Sequence, residues 1–300
     1  MSDRQTDAAA ETDARPVEVE GTRVQGIDQA EGAAQLTPPL ERPVVVRLPS
    51  RHNERLARLV ERVNADRSLH ALWRCANVNA LDRLGMTDHG PVHVRIVSNI
   101  ALRLLRLLVS SGLPPSVQVN HGLEPSDGEV VAVLAALLHD VGMSIHRDDH
   151  ERFSLMIANG KARELLAGLY EESYLTVMVS EVLHAIITHR SDGRPLTLEA
   201  GVVRVADALD MTRGRSRIGF EAGQVNIHSV SAAAIDKVEI GRGETKPVRI
   251  DIMMSNSAGI FQLDELLKEK LHGSGLEPYV EVTARVEAET ERSLVQVFRL

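Results

Sequence analysis

Polar and apolar positions follow a helical period through most of this chain and change to the period of a strand near its end. In RHNERLARLVERVNADRSLHALW, Leu56, Leu59, Val60 and Val63 fall at i, i+3, i+4 and i+7, one face of a helix. Pro91 opens VHVRIVSNIALRLLRLLVSSG, and Gly112 with Pro114 and Pro115 closes it, the expected start and stop grammar. Ser126 and Asp127 stand where they can cap the next helix, whose apolar run Val130 to Leu138 ends in His139-Asp140. HERFSLMIANGKARELLAGL, YLTVMVSEVLHAIITH and LTLEAGVVRVADALDMTR carry the same texture to about Arg217. After Ile218, IDKVEI and PVRIDIMM read as strands around the polar turn GRGETK. FQLDELLKEKLHG is an amphipathic helix closed by Gly273, and YVEVTARVEAE and SLVQVFRL alternate as two more strands.

The predicted architecture is therefore mainly α. A tail over residues 1–42 precedes a helical domain over 43–217. A small α+β accessory domain over 218–300 follows, in the order β-β-α-β-β with an antiparallel sheet.

Charge changes this picture at one end. Of a net charge of -8, residues 1–31 hold eight acids against three arginines, so the rest is only mildly acidic. The tail is rich in Ala, Gly, Pro and acids without periodicity, the composition of a disordered segment. A mildly acidic folded part with 3% aromatic residues argues against a basic, base-stacking groove for nucleic acid. A single cysteine, Cys75, excludes an intrachain disulfide and a cysteine-rich zinc site. The N-terminus lacks a signal pattern, and the apolar run Val130 to Leu138 is far too short to span a bilayer. A cytoplasmic protein with no membrane contact is expected.

The candidate chemistry lies in the histidines. Twelve are present, five of them between His139 and His189. Asp140 follows nine apolar residues and His139, and a buried carboxylate needs a partner, of which a metal ion is one. His93 begins the preceding helix, and Gly142 breaks the next one so that a turn redirects His150. His189 ends EVLHAIITH, and Asp207 is again an acid inside an apolar stretch. Imidazoles and carboxylates without thiolate suit Mn, Fe, Co, Ni or Zn. His184, five residues before His189, is off that residue's helical face and reads as a core or supporting histidine.

The run LLHDVG, the upstream His93 and the later Asp207 resemble the HD-domain phosphohydrolase superfamily, whose ligands follow the order His, His-Asp, Asp. The stretch VLHAIITHRSDGRPLTLEAGVVRVADALD further resembles its diadenosine tetraphosphate hydrolase branch. The resemblance covers about residues 88–217 and implies an HD-type helical domain. It implies that His93, His139, Asp140 and Asp207 hold one divalent ion, with His150 and His189 recruiting a second beside a bridging Asp140. One or two ions among Mn, Fe, Co, Ni, Zn and Mg fit. The implied reaction is attack of metal-activated water on a phosphate ester or anhydride of a nucleotide or other small phosphorylated molecule. Asp140 and Arg194 carry over as catalytic residues, and Arg95, Arg147, Arg190 and Arg213 are candidates for gripping phosphate. Two other readings stand beside this one: an HD-type nuclease, and a nucleotide sensor without turnover. In each, the C-terminal domain could make a homo-oligomer.

Overall fold

A computed structural model describes residues 44–190, 192–212, 231–286 and the strand 297–299. The expected tail, the expected boundary near residue 218 and Arg213 lie outside the described residues.

The helical part comprises α1 (Glu54–Ala65), α2 (Arg67–Asn77), α3 (Pro91–Ser110), α4 (Ser116–His121), α5 (Pro125–Leu138), α6 (His150–Leu166), α7 (Glu172–Ile187) and α8 (Leu198–Leu209). Several start for a local reason. The Asn53 side chain accepts from the Leu56 amide at the head of α1, whose buried face is Leu56, Leu59, Val60 and Val63 as the spacing predicts. Pro91 opens α3, where the Asp88 carboxylate accepts from the amides of Gly90 and His93 at 3.0 and 3.1 Å. α5 begins two residues before the start that a Ser126 cap would give, at Pro125 with Glu124 as its cap. Asp127 is inside its first turn and accepts from the Glu124 amide, one half of a capping box.

α5 is buried from Val130 to Leu138 without a polar face, which makes it the central helix. It packs against α3, α7 and α8, with α1, α4 and α6 completing the wrap. Among the described residues no helix is long and apolar enough to cross a membrane.

The C-terminal part forms a four-stranded sheet in the order β1 (Ile235–Arg242), β2 (Val248–Met254), β3 (Val280–Val286), β4 (Val297–Arg299). Alternation is strict where it matters: Val248, Ile250, Ile252 and Met254 of β2, and Val280, Val282 and Ala284 of β3, are buried. β1 with β2 and β3 with β4 pair antiparallel, but β2 and β3 run parallel, so the sheet is mixed and not wholly antiparallel. The cause is the connection between them. Residues 257–271 form a crossover helix that returns the chain to the starting end of β2, as a parallel pair requires. One hydrophobic core runs without a break from the helices into the sheet, and includes Val44, Leu134, Val205, Ile250 and Val282.

Candidate metal centre

The end of α5 is where the buried helix meets polar chemistry. After Leu138 the chain turns through His139 and Asp140 into a short 3-10 turn, Val141–Ser144, and α6 starts at His150. Gly142 permits this turn. A Cβ there would sit 2.1 Å from the His150 carbonyl oxygen and 2.3 Å from the Ser154 nitrogen, both backbone atoms that cannot move aside. Ser154 then fastens the corner: its hydroxyl accepts from the Gly142 amide at 2.8 Å and donates to the His139 carbonyl at 2.6 Å. Asp149, just before His150, has φ of 58°, a left-handed conformation that Asp tolerates better than most residues.

Six side chains from five stretches of chain meet here, all buried: His93 from the first turn of α3, His139 and Asp140, His150 from α6, His189 just after α7, and Asp207 from the last turn of α8. His93 Nε2 lies 3.1 Å from His139 Nε2, 3.4 Å from Asp140 Oδ2 and 3.3 Å from Asp207 Oδ1. His139 Nε2 lies 3.2 Å from Asp140 Oδ2 and 3.6 Å from Asp207 Oδ1. The other oxygen of Asp140 faces His150 Nε2 at 3.2 Å and His189 Nε2 at 3.8 Å. Donors bound at about 2.1 Å to one ion lie roughly 3.0–4.2 Å from one another, which is this spacing. Asp140 thus turns one oxygen to each of two donor groups.

The imidazoles are oriented for the same purpose. His139 Nδ1 pairs with the Ala136 carbonyl at 2.8 Å, His189 Nδ1 with the Ile186 carbonyl at 2.6 Å, and His150 Nδ1 with the Arg147 carbonyl at 2.9 Å. His93 Nδ1 pairs with Asp210 Oδ2 at 2.7 Å. Each carbonyl or carboxylate accepts the Nδ1 proton of a neutral ring and leaves Nε2 with a lone pair aimed at the centre, the arrangement metal-bound histidines adopt.

Electrostatics without an ion point the same way. Burial would strip the charge from His139, yet the Asp140 and Asp207 carboxylates overcome it and hold the ring up to about 9. Burial works against ionised Asp140, but His139 and its neighbours keep that carboxylate well below its ordinary range. Asp207 is likewise held low, by Lys270 and the histidines against the burial cost. Burial, with His139 and Lys270 nearby, drives His189 well below the ordinary histidine value. The cluster therefore keeps its carboxylates charged and a proton on one ring. A proton is standing where a cation fits.

The arginines are placed less uniformly. Arg147 Nη1 lies 2.7 Å from His150 Nδ1. Arg190 is paired with Asp192 at 2.9 Å and lies 4.0 Å from Glu151, the neighbour of His150. Arg95 and Arg194 are exposed. His184 accepts from the Leu196 amide at 3.0 Å, which makes it an anchor for the loop after His189.

Two residues at the centre were missed by sequence reasoning. Asp210 lies one turn beyond Asp207, and an acid at i+3 from a candidate ligand was a usable signal. Lys270, from the crossover helix, donates to Asp207 Oδ2 and gave no such signal.

Comparisons with known proteins bear on the same region. The HD domain family model matches residues 92–212. An uncharacterized protein of Methanocaldococcus jannaschii is 43% identical over 224 residues, 75% of this chain and 86% of that protein. Ribonuclease Y of Desulforamulus reducens is 30% identical over 174 residues, 55% of this chain and 30% of that protein. Ribonuclease Y of Thermoanaerobacter pseudethanolicus is 31% identical over 180 residues, 57% of this chain and 32% of that protein. The chain thus spans about a third of the length of these two ribonuclease Y relatives. No solved structure matches it.

Proposed function

Because this chain belongs to the HD-domain family, we propose that it is a metal-dependent phosphohydrolase that cleaves a phosphate ester or anhydride in a nucleotide or other small phosphorylated molecule. The observation that carries this reading is the convergence of four imidazole Nε2 atoms and two carboxylates in one buried space. In the proposed centre, His93, His139, Asp140 and Asp207 hold one ion, and Asp140, His150 and His189 hold a second. The nitrogen-rich donor set favours Mn, Fe, Co, Ni or Zn over Mg. A divalent ion supplies polarisation of a phosphoryl oxygen and a water nucleophile at neutral pH.

The chain's own groups do the rest. Asp210 holds the His93 ring, and the carbonyls of Ala136, Ile186 and Arg147 hold the other three. The Arg147 guanidinium can donate to His150 Nδ1 only when that nitrogen is bare. With His150 as a ligand through Nε2, Nδ1 carries a proton and bonds the Arg147 carbonyl, so the guanidinium is released to an anion. Arg147 and Arg190 then flank the His150 side and suit a phosphate through two-pronged hydrogen bonds. Arg95, Arg194 and Arg213 remain candidates for outlying phosphates. The finer likeness of residues 182–210 to the diadenosine tetraphosphate hydrolase branch supports a dinucleoside polyphosphate as first substrate to try.

A second reading, cleavage of RNA, is favoured by the likeness to ribonuclease Y. One assay separates the two. The Mn-loaded protein is given diadenosine tetraphosphate, nucleoside mono-, di- and triphosphates, and a short single-stranded RNA, beside Asp140→Ala. Cleavage of small nucleotides but not RNA supports the first reading, RNA shortening alone supports the second, and no turnover of either overturns both.

A further inference from the structure

Lys270 belongs to the C-terminal part of the chain, yet its ammonium sits on Asp207 Oδ2, leaving Oδ1 to face His93 and His139. The docking that brings it there is specific. Gly201, Arg204 and Asp207 recur every three residues on one face of α8, and each meets the end of the crossover helix or the segment after it. A Cβ on Gly201 would lie 2.4 Å from the Ser274 carbonyl oxygen, so only glycine allows this approach. Arg204, 2% exposed, donates Nε to the Lys270 carbonyl at 2.8 Å and Nη2 to the carbonyls of Glu269 and His272 at 3.0 and 3.3 Å. Its Nη1 donates to the carbonyls of Arg190, at 2.7 Å, and Gly193. One buried guanidinium therefore ties together the loop after His189 and the helix end that carries Lys270.

Exposure shows which side of the cluster opens. The side chains of His93 and His139 are 0% exposed, those of Asp210, His189 and Asp140 1%, 3% and 4%, and that of His150 7%, whereas Asp207 and Lys270 are the most exposed at 11% and 15%. A ligand that enters along the Asp207 edge meets the Lys270 ammonium first. An ammonium that gives one hydrogen to Asp207 has two more to offer, and at the mouth of a carboxylate and imidazole cluster a phosphoryl oxygen suits them. Resting on the phosphohydrolase reading above, we propose that Lys270 is a substrate-binding residue of this centre, contacting an oxygen of the phosphoryl group while its helix closes one wall. The C-terminal part then completes the active centre and is more than an appendage.

The test uses the full chain, wild type and Lys270→Met, Lys270→Gln and Lys270→Arg, with thermal melting to show that each is folded. Mn affinity and stoichiometry are measured by calorimetry. Binding of inorganic phosphate to the Mn-loaded protein is then followed by broadening of the phosphorus resonance. The Met and Gln variants are expected to bind Mn with wild-type stoichiometry and phosphate about 10- to 100-fold more weakly, the worth of one charge-assisted hydrogen bond. Arg is expected to restore most of the loss. On any substrate turned over, KM should rise by the same factor. Phosphate binding at wild-type strength in both neutral variants would overturn the assignment, and so would loss of Mn in parallel with phosphate, which would make Lys270 a prop for Asp207. Because phosphate is the probe, the result is readable even if no substrate is found. Failure of wild type to bind Mn, by contrast, overturns the metal centre itself.

Discussion

The two ends of α5 each bury a carboxylate, and they do opposite things with it. At the N-terminal end Asp127, fully buried, accepts from Arg55 Nη1 at 2.8 and 3.0 Å, from the Tyr170 hydroxyl at 2.6 Å and from the Glu124 amide at 3.0 Å. These partners keep their hydrogens at any ordinary pH. Burial and the neighbouring Asp127 push the Tyr170 hydroxyl up, so it stays a donor. At the C-terminal end Asp140 is surrounded by imidazole nitrogens, which can give their protons up. A carboxylate ringed by permanent donors is finished as a structural element. One ringed by exchangeable donors can trade a proton for a metal ion. Burial of an acid alone does not mark a site; the kind of donor around it does.

The largest test of that difference removes each acid. Asp140→Ala takes away the oxygens shared by both donor groups. Activity should fall beyond the roughly 10- to 100-fold that loss of an outer partner of a metal ligand costs, with bound metal lost in parallel. The chelated variant should stay folded but melt below the chelated parent, because Asp140 also supports the charged His139 ring. Asp127→Ala should do the reverse, destabilising by about 2–4 kcal/mol through an unsatisfied Tyr170 hydroxyl and a lost helix cap. Arg55, 42% exposed at its side chain, can turn into water and adds little. Metal per folded chain should stay at the parent value. Denaturant titration beside metal analysis decides both, and a metal-depleted but folded Asp127→Ala protein would erase the distinction.

A finer cut is Asp210→Asn, which keeps an acceptor for His93 Nδ1 but removes its charge. The neutral amide makes His93 a weaker base, so metal affinity should drop about tenfold, near the lower end of outer-partner effects, with little change in melting. Competition against a chelator of known affinity measures this. An unchanged affinity would mean that the His93–Asp210 pair only fixes a ring.

How much of this was legible depends on whether a signal was local. The helices announced themselves because one apolar face per helix repeats every three or four residues, and α5 because it lacks a polar face. His139, Asp140 and His189 stood out at the ends of apolar runs and Asp207 inside one, His93 and His150 were drawn in by their places on neighbouring helices and by the family resemblance, and the six lie together. Lys270 did not, because nothing near it distinguishes a lysine aimed at a carboxylate from one on a solvated face. Its role is set by Gly201 and Arg204, more than sixty positions upstream. The parallel pairing of β2 and β3 was hidden for a like reason: period two reports which face is buried and says nothing about which strand lies alongside. An exposed loop arginine such as Arg194 is the hardest case, since loop geometry and not pattern decides where it points.

The smallest expected effect is a matter of protons. In the metal-free protein His139, held up to about 9, is charged at neutral pH. Its unfolded-state value is about 6.5, so the stability it contributes is complete below that pH and is lost as pH rises toward 9. The carboxylates Asp140 and Asp207, held low, contribute stability that is lost only in acid. His189 is held neutral by its surroundings, a cost that grows as pH falls below about 6.5. Between about pH 6.5 and 9, then, His139 alone among these four titrates, and chelated protein should become easier to denature across that window. An ion that replaces this proton removes the slope. Metal binding at pH 7.5 should accordingly release close to one proton, read from calorimetry in buffers of different ionisation heat, and affinity should rise with pH until about 9. The Asp127 end has no exchangeable ring, and Asp127→Asn should leave that proton count unchanged. Zero protons released at pH 7.5 would mean that His139 is already neutral and that no exchange of proton for ion sets the two ends of α5 apart.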